Sequence, residues 1–481
     1  MRIIIFMLLF VFANSCFGKI WYVKEGGAGV KDGSSWSNAA EDISDLLQNP
    51  YINPTTVWSS QGRLKPSPDD TIFVACGVYS PIQIWCPDDY VVNYRTSYRG
   101  RIHIYGGFKG NESCLSDRQS WSDYPSILDG HNHYYCIWIE NQTLSHRQDN
   151  KDIVIDGFTL QNGYGEGAAI RLVHNNVLFS NLRIINNIGS PILLFENSGN
   201  DFYDRYNGEI LLYNSVISRN KIVNDGFNTI PENLISLSSS KVNFVNTTIV
   251  ENSHNTTGYT GYFGFYLYNH SHLSVLNSII YNNTFDRMAS FDFFNNQNLL
   301  EFAYCDVQNS GGSSNWNLSV AIDSGFNIDK IPLFIDTHNL EYGISKSSPC
   351  YNAGNNLLYY SLLQGFQTSL NFFCNFDFDA NNRIYDGIID IGAYEFFPSI
   401  NSVQSNLNSF DEEGKYFIQN EDVISIDDGI DYDIIKVFDV SGRCIYSNTN
   451  RIFQIKIPTG CYFLYMIKDN QIVCFKKILI N

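Results

Sequence analysis

Between residues 153 and 310 the chain returns six times to one phrase: an apolar strand, a polar corner and a second strand closing on a small or amide residue. The phrases are IVIDGFTLQNG (153–163), VLFSNLRIINN (177–187), ILLYNSVISRN (210–220), VNFVNTTIVEN (242–252), LSVLNSIIYNN (273–283) and LEFAYCDVQNS (300–310). Their last positions, 163, 187, 220, 252, 283 and 310, lie 24 to 33 residues apart. Apolar residues alternate within each phrase, as in Ile153 and Ile155, Val177 and Phe179, or Val242 and Phe244. Alternation turns one face inward and the other outward. One such unit cannot bury its own inner face, so stacking must build the core, which predicts the coils of a parallel β-helix. A propeller blade needs about 40–45 residues, and a helical solenoid needs a 3.6-residue period. Neither accounts for the pattern. Asn187, Asn220, Asn252 and Asn283 then share one corner, where their amides satisfy the turn backbone and each other. A third strand per coil is read at 170–172, 235–237 and 265–267, and the variable lengths are loops at one corner.

A length of 481 residues suits one elongated repeat domain with an appendage. Aromatic residues reach 15% and charged residues only 17%, a balance that fits pleated, β-rich surfaces. The formal charge of −18 repels phosphate backbones and argues against a nucleic-acid partner. The opening MRIIIFMLLFVFANSCFG reads as a signal peptide over residues 1–18, too short to span a bilayer, and no later stretch is long and apolar enough to be a transmembrane helix. Export is therefore expected. Of eleven cysteines, ten follow the signal. Cys76 with Cys86, and Cys350 with Cys374, are candidate disulfides, while burial as small hydrophobes suits several of them equally.

The corner phrases Ile217-x-x-Asn220, Ile249-x-x-Asn252 and Ile280-x-x-Asn283, with GEGAAI at 165–170, resemble the repeats of polymorphic outer-membrane proteins and related right-handed parallel β-helix surface proteins. GVKDGSSWSNA (29–39), DDTIFVACGVY (69–79) and IHIYGGFKGNE (102–112) resemble the opening of secreted β-helix proteins from bacteria with type IX secretion. That resemblance implies a short helix over residues 39–47 capping the open end of the core, where a bare coil would invite edge-to-edge association. SPCYNAGNN (348–356) and DFDANNRIYDGIIDIGAYEF (377–396) resemble the closing motif of the same proteins.

The acidic closing motif admits three readings. Asp377, Asp379 and Asn381 are oxygen donors at alternate positions and suggest a structural calcium ion. An EF-hand loop starting at Asp377 would need Gly and Glu where Asn382 and Ile388 stand, so only a looser site is compatible. Paired carboxylates could serve glycoside hydrolysis. In the third reading, which fits best, Arg383 anchors one or two carboxylates and the segment ends the solenoid.

Many β-helices process polysaccharides, and lyase chemistry needs carboxylates or calcium with an Arg or Lys base on one outer face. Arg171, Ser236 and Tyr266 are expected to face outward in three coils, with no acid beside them. The polygalacturonase-like set NTD, DD, GHG and RIK is missing, as are a nucleophile elbow, a P-loop and HExxH. His131 with His133, and His270 with His272, would each share a strand face, without a third ligand. In GYTGYFGFYLYNHSH (258–272), Tyr262, Tyr266 and Tyr268 form a stripe able to stack on sugar rings, or to lie under a neighbouring loop.

Residues 398–410 are polar and read as a linker. Beyond them, 411–481 alternate short strands in the manner of a small β-sandwich. Val437-Phe438-Asp439, Ser441-Gly442-Arg443, Gly460-Cys461-Tyr462 and Lys476-Lys477 resemble the C-terminal sorting domain of type IX secretion cargo, though YFIQNEDVISI replaces its usual opening Pro-Asn-Pro. The resemblance implies passage through that secretion machinery to the cell surface or medium. The expectation is thus an all-β protein: a capped right-handed parallel β-helix over 19–397, then the sandwich. Its expected role is an extended surface for binding, as an adhesin or a binder of polysaccharide or cell-surface glycan. A polysaccharide lyase or glycoside hydrolase with its site on the loops is the alternative.

Overall fold

The computed structural model describes residues 18–47, 66, 70–86, 102–141, 153–173, 176–197, 210–223, 232–254, 263–285, 287–291, 298–318, 321–338, 340–364 and 375–397, with the C-terminal strand residues 417–420, 423–426, 434–439, 444–448, 460–468 and 471–480. Nearly all of the expected signal peptide, the expected linker, Tyr262 and Cys374 lie outside the described residues. Two compact units result, one holding the coils and Phe376–Phe396, the other the C-terminal strands.

The first unit is an all-β parallel solenoid. Its first sheet has ten parallel strands, from Ile20–Val23 through Val177–Ser180 and Lys241–Val245 to Ile322–Asp323. A second sheet has eight, from Gly77–Tyr79 to Asp306–Val307, and a third has seven, from Ile82–Cys86 to Arg287–Phe291. The solenoid therefore begins well before residue 153, where the repeat first became readable. Register is kept from coil to coil: Ile155, Phe179, Leu212, Phe244, Val275 and Phe302 form one stacked row facing the core. Burying like on like in every coil makes each interface reinforce its neighbours.

The corners explain the abundance of asparagine. Between first- and second-sheet strands, one residue per coil is left-handed: Gly157, Asn181, Asn214, Asn246, Asn277 and Tyr304, with φ of 76, 52, 50, 49, 49 and 52°. Gly and Asn adopt that conformation with least strain. At the next corner the expected amide ladder is present. Each side-chain Nδ2 donates to the Oδ1 of the next coil, Asn187 to Asn220 at 2.9 Å, Asn220 to Asn252 at 2.9 Å and Asn252 to Asn283 at 2.8 Å. The same three oxygens also accept the backbone N–H of Asn187, Asn220 and Asn252, at 3.0, 3.1 and 3.0 Å.

The cap is shorter than expected, a five-residue helix over Ile43–Leu47 preceded by a 3₁₀ turn at Trp36–Asn38. Ile43, Leu46 and Leu47 join Trp21 and Val23 in the core. Neither proposed disulfide forms: Cys76 and Cys350 are free thiols, and Cys136, Cys305 and Cys350 are buried.

The closing motif is not a stop at the end of the coils. It lies along their flank. Asn246 Nδ2 donates to the carbonyls of Asp390 and Gly392, Ala393 N to Thr248 Oγ1 and Gly392 N to the Asn277 carbonyl. Phe378, Ala393 and Tyr394 cover Val216 and Val250, and Ile391 covers Ile279. Gly392 has a φ of 108°, which L side chains rarely adopt, and a Cβ there would also crowd Ile279 Cδ1 at 2.8 Å. The SPCYNAG turn joins the same layer through Ile391 N to the Cys350 carbonyl.

In the second unit, Ile434–Asp439 pairs antiparallel with Cys444–Asn448 and Gly460–Lys468, and the latter with Gln471–Ile480. Phe417–Asn420 and Val423–Ile426 form a separate antiparallel pair.

Candidate functional site

Two groups of side chains compete as functional sites. The acidic closing motif is the first. Asp377 is fully buried, and its Oδ1 accepts the backbone N–H of Asp379 and Asn381 at 3.0 and 2.7 Å, while Oδ2 accepts that of Glu395 at 2.8 Å. Its oxygens thus face hydrogen-bond donors, which organise a turn. Asn381 adds a long contact of 3.4 Å to Asp377, and Asp379 lies exposed at the surface of that turn. Arg383 is buried beneath them and donates to Glu395 Oε2 at 3.0 Å, Ala393 O at 2.9 Å and Asn214 Oδ1 at 3.1 Å. Glu395 also accepts the N–H of Tyr385 and Asp390; burial pushes its carboxyl up to about 8, and the facing Arg383 guanidinium opposes that shift. The arrangement is that of a clamp holding the segment to the coils.

The second group is on the outer face of the third sheet. Here Ile137–Asn141, Ile170–Val173, Leu193–Glu196, Asn233–Ser238 and Phe263–Tyr268 stack in parallel. Ile170 and Leu172, Ile235 and Leu237, and Phe265 and Leu267 enter the core, so the residues between them point out. One outer row runs Trp138, Arg171, Leu194, Ser236, Tyr266, and the next runs Glu140, Val173, Glu196, Ser238, Tyr268. The expectation that no acid accompanies Arg171 is overturned. Arg171 lies 3.1 Å from Glu166 and 3.5 Å from Glu196, and Glu140 accepts Trp138 Nε1–H at 3.1 Å.

Tyr266 and Tyr268 are half-buried, with ring centroids 5.2 Å apart and planes 31° from parallel. At the other end of the face the Tyr135 and Trp138 rings meet edge to face at 5.8 Å. Burial pushes the Tyr268 phenol up, and it also holds the Glu196 carboxyl above the usual range, where Arg171 opposes the shift and Glu166 and Glu140 add to it. The arrangement offers a guanidinium and carboxylates at one end and apolar ring faces at the other, with Leu194, Ser236 and Ser238 buried between them. Glu140 and Glu196 escaped the sequence reading because the strands 137–141 and 193–196 carry too little alternation to announce themselves, whereas Glu166 stood in the quoted GEGAAI, five residues before Arg171.

The histidine pairs do not share strand faces. His131 and His133 belong to a turn in which His131 and Asn132 have positive φ, and His270 is also in a left-handed turn, while His272 pairs with Glu301 at 3.1 Å. Among the described residues no three His, Cys, Asp or Glu side chains converge as a metal-binding group. No helix among the described residues is long and apolar enough to cross a membrane. Comparison with protein-family models and with curated proteins finds no match to this chain.

Proposed function

We propose that this protein is an exported right-handed β-helix whose third outer face binds a glycan chain at the cell surface or in the medium. The carrying observation is the Tyr266–Tyr268 pair, two phenols on one face and half out of water, in outer rows that further along carry Arg171 and Glu196. Tyrosine rings offer an apolar face to the C–H side of a sugar and a hydroxyl to its edge. Strands stacked at about 4.8 Å suit a long, regular ligand. Export follows from the N-terminal apolar leader, and the type IX route from the C-terminal phrases, whose domain is read as a small sandwich.

A second reading has specific support. Glu140, Glu166 and Glu196 with Arg171 are the residue types of a polysaccharide lyase or glycoside hydrolase. One experiment separates the two. The purified protein is passed over immobilised neutral, basic and acidic polysaccharides, with calcium and with chelator, and the eluate is assayed for new chain ends. Retention without new ends is expected, and replacing both tyrosines by alanine should weaken it at least tenfold without moving the unfolding midpoint. Retention that survives that double substitution sinks the binding reading. New chain ends would move the assignment to catalysis.

A further inference from the structure

Resting on the export reading above, we infer that the leader is cut between Gly18 and Lys19, and that the α-ammonium released on Lys19 pairs with Asp70 to lock the first coil of the solenoid. The geometry is already in place. Lys19 N donates to Asp70 Oδ1 at 2.7 Å and Trp21 Nε1 to Asp70 Oδ2 at 2.8 Å, so both carboxylate oxygens face the start of the first strand, Ile20–Val23. Lys19 Nζ stands 3.3 Å from the Trp21 ring centre, which directs the side chain to the indole and the backbone nitrogen to the carboxylate. Asp70 is only 4% exposed, whereas Lys19 is exposed.

Charge separates the uncut chain from the cut one. Before cleavage Lys19 N is a neutral amide with a single proton, and Asp70 gains an ordinary hydrogen bond from it. Hydrolysis breaks the bond from the Gly18 carbonyl carbon to Lys19 N. Water supplies the hydroxyl of the new Gly18 carboxyl, and water's other proton together with the carboxyl's own proton makes the amine an ammonium. One ammonium proton stays on Asp70 Oδ1 while the other two face water. The charge-assisted bond is about twice as strong as the neutral one, whatever else the carboxylate contacts.

Position gives the pair its effect. Ile20–Val23 is the outermost strand of the ten-stranded sheet and pairs in register with Thr71–Ala75. The Lys19 carbonyl accepts Thr71 N–H at 2.9 Å, and the Asp70 carbonyl accepts His103 N–H at 3.3 Å, from the coil beyond. The ammonium therefore fastens a terminal strand to two coils behind it, at an end where fraying would bare an edge. Leader removal requires small residues just before the cut. Cys16 with Gly18 meets this, as does Ala13 with Ser15, but a chain starting at Cys16 holds its ammonium three residues away from the site.

The test has two arms. The protein is recovered from a secreting host and its N-terminus is read by sequencing and intact mass. Lys19 is the expected first residue. Any other start overturns the inference and leaves export standing, whereas leader retained on cell-associated protein defeats both. In the second arm, full chains beginning at Lys19 and at Cys16, each released from a fusion by a specific protease, are compared by melting and hydrogen exchange. The Lys19 chain is expected to melt about 2 °C higher, and its amides over Ile20–Val23 to exchange about tenfold more slowly. Asp70→Asn should erase both differences. Equal melting and exchange of the two chains overturn the lock, and differences that survive Asp70→Asn overturn it too, by assigning them to another group. The two starting points carry no substitution, so their comparison decides the matter even where Asp70→Asn fails to fold.

Discussion

At the scale of single residues the solenoid depends on amides doing two jobs. Asn220 Oδ1 accepts both N–H groups of Asn187, and its own Nδ2 also reaches the Ile184 carbonyl at 3.0 Å. Asn220→Ala leaves two buried donors unmet, each costing about 1–3 kcal/mol, so a loss of about 2–6 kcal/mol is expected in urea unfolding. A loss under about 1 kcal/mol would show that water replaces the ladder. Asp306 makes a second residue-scale case. Fully buried, it accepts the Lys330 backbone N–H at 3.0 Å and the Cys350 thiol at 3.2 Å, and burial pushes its carboxyl up to about 7. A carboxyl raised on folding stabilises the fold in its protonated form, fully below about pH 4 in the unfolded chain. That contribution is lost as pH rises through about 7. Melting temperature should accordingly carry a falling component between pH 4 and 7 that Asp306→Asn removes; an unchanged pH profile in the variant would refute this.

Among elements, the closing motif illustrates how a recognisable phrase can be misplaced. Asp390, Gly392 and Glu395 have the structural roles that their residue types suggested. Asp390 accepts the N–H of Asn352 and Phe396, and Glu395 pairs with Arg383. What the phrase alone did not reveal is which surface it would cover. The outward residues Val216, Val250 and Ile279 are apolar where a solvated face would be polar, and that is the local signal that something lies over them. Arg383→Met breaks the buried pair, leaving the Glu395 carboxyl and the Ala393 and Asn214 acceptors without their donor, and should cost about 3–5 kcal/mol, whereas combining it with Glu395→Leu should recover much of that loss. Denaturant midpoints of the two variants decide the matter, and an equally destabilised double variant would mean that packing, not charge, holds the clamp. The third-sheet strands make the opposite case: three were legible from their flanking apolar pairs, and those carrying Glu140 and Glu196 were not.

For the whole molecule the exposed ends of stacked sheets matter most. Ile43, Leu46 and Leu47 of the short N-terminal helix bury themselves beside Trp21 and Val23 of the first coil. Leu46→Asp is expected to bare that end and convert a monodisperse protein into one whose light scattering grows with concentration. Scattering that stays flat would assign the helix to local packing alone. The alternation of apolar residues and the corner asparagines, both local properties, determined a parallel all-β solenoid from the sequence by itself, because inward residues and left-handed corners recur at fixed positions in every coil. The tertiary structure alone decided the flanking course of the closing segment and the placing of Glu140, Glu196 and Arg171 on the same outer face as the tyrosine pair. Glu140, Arg171 and Glu196 come from different coils and approach one another only through stacking register, a distance that no single stretch of sequence encodes.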